Sequence, residues 1–153
     1  AIVWRSPTIL KGTVDFPIGR HSSNRLKMAI MMKSGREATT HYHVQEKYDD
    51  AACWVECKLE SGRTHQIRVH MQHIKHPLVG DPLYGIAPQE GRALLAKAGY
   101  DEDIIDQIMA FDHQALHAQE IGFIHPRSGE EMRFLSDLPE DLQNLKNLFK
   151  SID

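Results

Sequence analysis

Basic side chains crowd one short block of this sequence, at the point where an alternating run gives way to a helix-like run. The block covers residues 60–70; the residues before it alternate as in a strand, and those after it have apolar side chains at helical spacing. Arg63 and Arg68 fall around the expected first helical turn, and Gly62 is expected to permit the turn into it. Cations gain nothing from the positive end of a helix dipole. The two arginines therefore favour an anionic partner, although either one alone would usually be a solvated surface charge.

A second basic segment lies earlier in the chain, between two strand-like runs. Residues 16–36 contain five Lys or Arg and no Asp or Glu. Within it, residues 19–28 form a polar loop that holds Arg20, His21, Arg25 and Lys27. Basic side chains neutralise a phosphate backbone, and small polar side chains and main-chain N–H groups bond its oxygens. These four residues are candidate nucleic-acid contacts; the alternative is an ordinary hairpin loop.

The charge distribution also singles out the first half of the chain. Of the 153 residues, 41% are hydrophobic and 25% charged, which is typical of one soluble globular domain. Residues 1–76 carry twelve Lys or Arg and seven Asp or Glu, whereas residues 77–153 carry six and fourteen. This asymmetry indicates either one face that meets an anion or two oppositely charged solvated surfaces. No apolar run is long enough to span a bilayer and no secretory leader is recognisable, so a cytoplasmic location is expected.

Cysteine and histidine raise the question of a metal site. Cys53 and Cys57 lie four residues apart on one strand, about 13 Å from each other, too far for a disulfide. They share the apolar face with Val55 and Leu59, which predicts buried, reduced thiols. There are ten histidines, but no HExxH pattern. We predict no metal, and keep a His-rich metal-binding or hydrolytic domain as an alternative from another functional class.

The regular elements predict an α/β (α+β) fold with a mainly antiparallel mixed sheet and packed helices. The strand-like runs are residues 1–5, 12–18, 29–33, 39–48, 51–59, 116–126 and 130–135. Helices are expected after residue 66, over 90–98 and 101–111, and from Pro139 onward. The strands at 29–33, 39–48 and 51–59 are expected to form a meander. An irregular loop at 76–85 contains Asp81, which can anchor main chain, and Tyr84, which can pack its ring and bond through its hydroxyl.

Several separate stretches of this chain resemble, in order and spacing, the motifs of the RluA family of RNA pseudouridine synthases. They include the GRTHQIRVH block and the HPLVGDPLYG loop. The stretches are residues 17–21, 27–28, 37–42, 59–70, 76–85, 114–118, 123–126, 128–130 and 138–141. The resemblance covers nearly the whole chain except an insert at about 86–112.

The resemblance implies isomerisation of uridine to pseudouridine in RNA without a cofactor, and large-subunit ribosomal RNA is the expected substrate. In such enzymes the uridine is flipped out of its stack, and an aspartate initiates cleavage of its C–N glycosidic bond. Arg68 inherits the role of pairing with that aspartate, and Ile67 the apolar position near the base. Arg63 and His65 inherit contacts to RNA. The alternative is a non-catalytic RNA-binding module.

The family's aspartate belongs to an HRLDxxTSG-like motif, which this sequence lacks, and its stacking tyrosine precedes the strand with which this sequence begins. Residues 1–153 are therefore expected to be the C-terminal portion of a synthase catalytic domain, incomplete at its N-terminal side and inactive alone. We expect an exposed strand edge at residues 1–5, with self-association through it. We also expect Arg68, without its carboxylate, to be solvated or to hold water or an anion.

Overall fold

The computed structural model describes residues 1–152, which form eight strands and four helices. In chain order these are β1 (Ile2–Trp4), β2 (Lys11–Asp15), β3 (Ile18–Arg20), β4 (Met28–Ile30), β5 (Thr39–Tyr48), β6 (Ala52–Leu59), α1 (Gln66–His73), α2 (Pro88–Ala98), α3 (Glu102–Met109), β7 (Glu120–Ile124), β8 (Glu131–Leu135) and α4 (Glu140–Phe149). The predicted α+β class with antiparallel sheets and packed helices is confirmed.

The central sheet has four antiparallel strands in the order β1-β6-β5-β2. The predicted meander is right for β5 and β6, but wrong for β4, which pairs with β3 in a separate hairpin. Two features account for this. Pro17 ends the run that the sequence predicted as one strand and separates β2 from β3. Ile18 then exchanges main-chain hydrogen bonds with Arg36, which holds the segment after β4 beside β3.

The outer side of β1 is covered, so the predicted exposed edge at residues 1–5 is wrong. The Trp4 N–H donates to the carbonyl of Pro77 (2.9 Å), and the Val79 N–H donates to the carbonyl of Ile2 (2.9 Å). The Ile2 N–H donates to Ala115 (3.0 Å). The loop after α1 therefore acts as an additional strand partner. Because these β1 groups are paired, the edge offers no ladder for the self-association that we expected there.

The region predicted as an insert, residues 86–112, builds a large part of the core. It forms α2 and α3, which pack with α4 against β1 and the end of β5. The fully or nearly fully buried side chains of this cluster include Trp4, Tyr48, Leu95, Tyr100, Ile105, Ile108, Leu142, Leu145 and Phe149. Gly99 ends α2 in a left-handed conformation (φ 99°), as glycine does most readily. The segment is therefore structural as well as acidic.

Strand β6 partly follows its predicted faces. Cys53 is buried, Cys57 is half-buried, and both thiols are free. Burial raises the pKa of Cys53 to about 11, so this thiol stays protonated at neutral pH. Leu59, predicted on the same buried face, is 43% exposed because β6 reaches the end of the sheet there. The prediction of buried, reduced thiols is thus confirmed for Cys53 and only partly for Cys57.

Strands β7 and β8 pair with each other in a two-stranded sheet. Phe123 and Phe134 stack on one face, with ring centroids 5.8 Å apart. Both rings are nevertheless about half exposed, at 44% and 54%. The sequence predicted the hairpin correctly, but β7 begins only at Glu120 and not at residue 116.

Truncating Leu95 tests whether the helical layer is part of one cooperative core. Leu95 is fully buried in the cluster around Phe149, so Leu95→Ala should lower the free energy of unfolding by about 2–5 kcal/mol. Ala96→Ser, on the exposed side of the same helix, is the control and should change it far less. Urea unfolding followed by circular dichroism measures both; a loss below about 1 kcal/mol for Leu95→Ala would contradict a tightly packed layer.

Candidate functional site

The turn into α1 depends on His65 and Gln66 more than on the glycine. His65 is left-handed (φ 57°), whereas Gly62 is not among the described positive-φ residues, so the predicted role of Gly62 is wrong. The buried Gln66 side chain accepts from the Arg63 N–H (2.9 Å) and donates to the Thr39 carbonyl (3.0 Å). It therefore ties the first helical turn to β5.

Arg68 is buried and forms an ion pair with Asp81. Its Nε donates to Oδ2 and its Nη2 donates to Oδ1, both at 2.8 Å. The two side chains are 8% and 0% exposed. The expectation that Arg68 would be solvated or hold an anion is therefore wrong. The physical reason is the loop after α1, which folds back and supplies an internal carboxylate to a guanidinium that would otherwise be buried without a partner.

Asp81 organises its own loop as well as Arg68. Its Oδ1 accepts from the main-chain N–H groups of Leu83 (2.9 Å) and Tyr84 (3.0 Å), which confirms the predicted anchoring role. Burial alone would raise the pKa of Asp81, but the hydrogen bonds from Arg68 and from these two N–H groups together outweigh it and hold the pKa below its usual value. Hydrogen bonding to Asp81 likewise raises the pKa of Arg68. Both groups stay charged at neutral pH.

One edge of the Arg68 guanidinium remains free. The Nε–Nη2 edge is taken by Asp81, and Nη1 has no hydrogen-bond partner within residues 1–152. Nη1 is also not among the fully buried, unpaired polar atoms of those residues. A guanidinium has five N–H donors in a planar fork and can serve a second acceptor at its Nη1–Nη2 end. Nη1 is therefore the Arg68 donor that remains for a second acceptor alongside Asp81.

Tyr84 joins three of the predicted site residues. Its ring lies 4.9 Å from Cζ of Arg68 and 5.4 Å from Nζ of Lys27, which are cation–π distances. Its hydroxyl lies 2.7 Å from Nδ1 of His65 and accepts from the Met28 N–H at 2.7 Å. The basic loop, the start of α1 and the 76–85 loop therefore meet at one buried phenol, as the sequence allowed but did not predict.

The other predicted site residues differ in how many contacts they make with the rest of the chain. Arg63 donates from Nε to the carbonyl of Glu37 at 2.8 Å. The His21 ring accepts from main-chain N–H groups of its own loop. Arg20 and Arg25 are exposed, and neither forms an ion pair within the described part of the chain. Ile67 is half-buried against the apolar cluster of the central sheet.

A network of buried hydrogen bonds, which the sequence did not predict, connects α1 to β5 and to the carbonyl of Phe16. Gln66 donates to Oγ1 of Thr40 (3.1 Å), Thr40 lies 2.8 Å from Nδ1 of His70, and Nε2 of His70 lies 2.9 Å from the carbonyl of Phe16. The only available arrangement that satisfies every group has Thr40 donating to His70 and His70 donating to Phe16. Its one sequence signal was a histidine on the apolar face of the helix.

The histidines do not converge on a metal site in residues 1–152, where no group of three or more His, Cys, Asp or Glu is arranged to hold an ion. His41 instead contacts Thr13 and Glu60. His76 contacts the Trp4 carbonyl. Across the same residues, every helix is too short or too polar to traverse a bilayer.

Comparison with known proteins gives consistent matches. A family model described as RNA pseudouridylate synthase matches residues 2–73. The chain is 48% identical over 139 residues to ribosomal large subunit pseudouridine synthase D of Xanthomonas campestris pv. campestris, covering 91% of this chain and 40% of that protein. It is 46% identical over 141 residues to an uncharacterised RNA pseudouridine synthase of Bacillus subtilis, covering 92% and 40%. The chain thus spans about two fifths of the length of the curated relatives it matches.

Two solved structures share the fold. Human RNA pseudouridylate synthase domain containing 4 superposes with a TM-score of 0.68 at 22% identity, covering 98% of this chain and 60% of that one. Human RNA pseudouridylate synthase domain containing 1 gives 0.65 at 24% identity, covering 99% and 64%.

Removing the charge of Asp81 tests the burial of the ion pair. Asp81→Asn keeps the shape of the side chain but leaves Arg68 buried without an anion, so it should lower the free energy of unfolding by about 3–5 kcal/mol. The matched control is Glu90→Gln, because Glu90 pairs with Arg5 at the surface, where both side chains are 40% or more exposed. Denaturant unfolding of both variants is the measurement; equal, small losses would contradict a desolvated Arg68–Asp81 pair.

Three histidines with lowered pKa values predict a stability that falls in mild acid. Burial lowers the pKa values of His65, His70 and His76 below the ordinary 6.5. Because the unfolded chain binds these protons more readily, stability is full above pH 6.5 and decreases as the pH falls through 6.5 toward the folded-state pKa values. His113 acts in the opposite direction, since Asp112 and Asp141 raise its pKa, but it is exposed.

Unfolding free energies at pH 7.5 and 5.5 check this expectation. The value should be smaller at pH 5.5, and an NMR titration should place the pKa of His70 below 6.5. A stability that rises on acidification, together with an ordinary pKa for His70, would contradict the neutral, hydrogen-bonded imidazole.

Proposed function

Because the chain belongs to the RluA family of RNA pseudouridine synthases, we propose that it supplies the arginine side of an active site that isomerises uridine in RNA. The observation that carries this proposal is the geometry of Arg68. One edge of its guanidinium is fixed by Asp81, and Nη1 at the other end has no hydrogen-bond partner within residues 1–152. In the family this arginine pairs with the catalytic aspartate, whose HRLDxxTSG-like motif is not part of this sequence.

In this arrangement Arg68 acts on the aspartate and not on the RNA. A guanidinium beside a carboxylate lowers the carboxylate pKa and keeps it ionised, which is the form able to initiate cleavage of the glycosidic bond. Asp81 fixes the guanidinium beforehand, so little reorganisation is needed when the site is assembled. Ile67 offers an apolar contact beside the base.

We propose that contacts to the RNA backbone are made by the basic residues predicted from the sequence. The candidates are Arg20, His21, Arg25, Lys27, Arg63 and His65. Arg20 and Arg25 are exposed and can reach phosphates from the surface, whereas Lys27 and His65 are oriented by Tyr84. The names of several relatives suggest large-subunit ribosomal RNA as the substrate, and modification of that RNA would put the protein in the cytoplasm. The matches to synthases lend no support to the alternative of a non-catalytic RNA-binding module.

We further propose that residues 1–153 are the C-terminal portion of the catalytic domain and are inactive alone. Uridine isomerisation replaces the hydrogen on carbon 5 with the bond to ribose, so release of tritium from transcripts labelled at that position reports the reaction. The 153-residue chain should release none above background. The intact synthase that carries both this chain and the aspartate motif should release it readily.

Arg68→Lys in the intact synthase tests the role of the guanidinium. A lysine can supply a charge, but not two separate edges for two carboxylates, so we expect the rate to fall by about 100-fold or more. Arg92→Lys, a like substitution at an exposed pair in α2, is the control and should leave the rate unchanged. Wild-type activity in Arg68→Lys, or full activity of the isolated chain, would contradict the proposal.

A further inference from the structure

The buried hydroxyl of Tyr84 makes two close polar contacts that the proposed function does not account for. Tyr84 is 1% exposed, and its oxygen lies 2.7 Å from the main-chain nitrogen of Met28 and 2.7 Å from Nδ1 of His65. The Met28 N–H can only donate, so it occupies a lone pair of the phenol oxygen. The hydroxyl hydrogen then has one acceptor among residues 1–152, which is Nδ1 of His65. This leaves Nδ1 unprotonated and puts the ring proton of a neutral His65 on Nε2.

The surrounding charges favour the neutral form of this ring. Arg68 and Lys27 both lie against Tyr84, and Arg63 is two residues away along the chain. Burial, and then the charge of Arg68, lower the pKa of His65, and Asp81 opposes them only in part. Burial also raises the pKa of Tyr84, so the phenol keeps its proton. A neutral imidazole with a fixed tautomer is therefore the stable state at neutral pH.

The backbone orients the ring as well. His65 adopts φ 57°, a left-handed conformation that few residues other than glycine, asparagine, aspartate and histidine visit. Its ring meets Tyr84 edge-on, with an interplanar angle of 77°. The ring is thus held by its main chain on one side and by a hydrogen bond on the other, while Nε2 has no partner within the described residues.

We propose that Tyr84 is a positioning residue that fixes His65 as the Nε2–H tautomer, and that this N–H donates a hydrogen bond to an oxygen of bound RNA beside Arg68. The RNA-binding half of this inference rests on the proposed function; the tautomer half does not. The acceptor is a uracil carbonyl or a phosphate oxygen, both of which a neutral N–H can serve. Tyr84 itself touches no substrate in this arrangement.

The tautomer can be measured on the 153-residue chain without RNA. Nitrogen-15 NMR of the imidazole should find Nδ1 of His65 unprotonated and Nε2 protonated at pH 7.5. In Tyr84→Phe the lost hydroxyl should allow both tautomers and raise the pKa of His65. A protonated Nδ1 in the wild type, or the same spectrum in both proteins, would overturn the inference even if the chain proved to be part of a synthase.

The donor role is tested by binding of a uridine-containing oligonucleotide to the intact synthase. At pH 7.5 Tyr84→Phe and His65→Asn should each weaken binding about three- to tenfold, as expected for one hydrogen bond. Asparagine accepts the left-handed conformation but cannot reach as far as Nε2, so His65→Asn preserves the turn. Tyr42→Phe is the matched control, because the Tyr42 hydroxyl only bonds the Ile9 carbonyl at the surface.

The pH dependence separates this role from general support of the fold. At pH 5.5 the His65 ring of Tyr84→Phe, which has lost its hydrogen bond to the phenol, becomes protonated and regains its Nε2–H. The difference in oligonucleotide affinity between Tyr84→Phe and the wild type should therefore be smaller at pH 5.5 than at pH 7.5. A difference that stays constant, or affinities equal to wild type at pH 7.5, would overturn the donor role. Two modified oligonucleotides distinguish the acceptors. If the acceptor is a uracil carbonyl, removing the target base should abolish the effect of His65→Asn on affinity. If it is a phosphate oxygen, methylating that phosphate should abolish the effect.

Discussion

The site depends on one constraint, which is that a guanidinium taken out of water needs a carboxylate beside it. Arg68 meets this requirement with Asp81, at two hydrogen bonds of 2.8 Å. The pair explains the irregular loop after α1, because only a chain reversal brings a carboxylate thirteen residues downstream back to the helix. The same carboxylate then bonds the loop's own N–H groups, so the shape of the loop and the orientation of the arginine are fixed together.

The loop of residues 76–85 is held in place by contacts with several other elements of the fold. Its first part, residues 77–79, pairs with β1 and thereby joins the central sheet. Its last part delivers Tyr84 to the basic loop and to the first turn of α1. The helical layer of α2, α3 and α4 packs behind β1. The loop that carries Asp81 is therefore connected to the hydrophobic core through β1. A substitution that loosens the core near β1 should also alter the geometry of the Arg68–Asp81 pair.

Sequence reasoning predicted the elements with clear periodicity and missed the contacts that join them. The bounds of β5 and the pairing of β5 with β6 follow from period-two alternation and a short turn. The partner of Arg68 could not be predicted in this way, because periodicity does not show which of several aspartates a loop places beside the guanidinium. The exposed edge at residues 1–5 was wrong for the same reason, since its cover comes from a loop with no strand pattern of its own. The motif resemblance singled out Arg68 and His65, and the loop composition predicted that Asp81 anchors main chain. The pairing of Asp81 with Arg68 and the contact between Tyr84 and His65 came only from the structure.

The most direct test of this account is a crystal structure of the intact synthase, with attention to the two edges of one guanidinium. We expect Asp81 to keep the Nε edge of Arg68 and the catalytic aspartate to bond the Nη1 end, both within about 3 Å. A catalytic aspartate that displaces Asp81, or that lies farther than about 4 Å from Arg68, would contradict it.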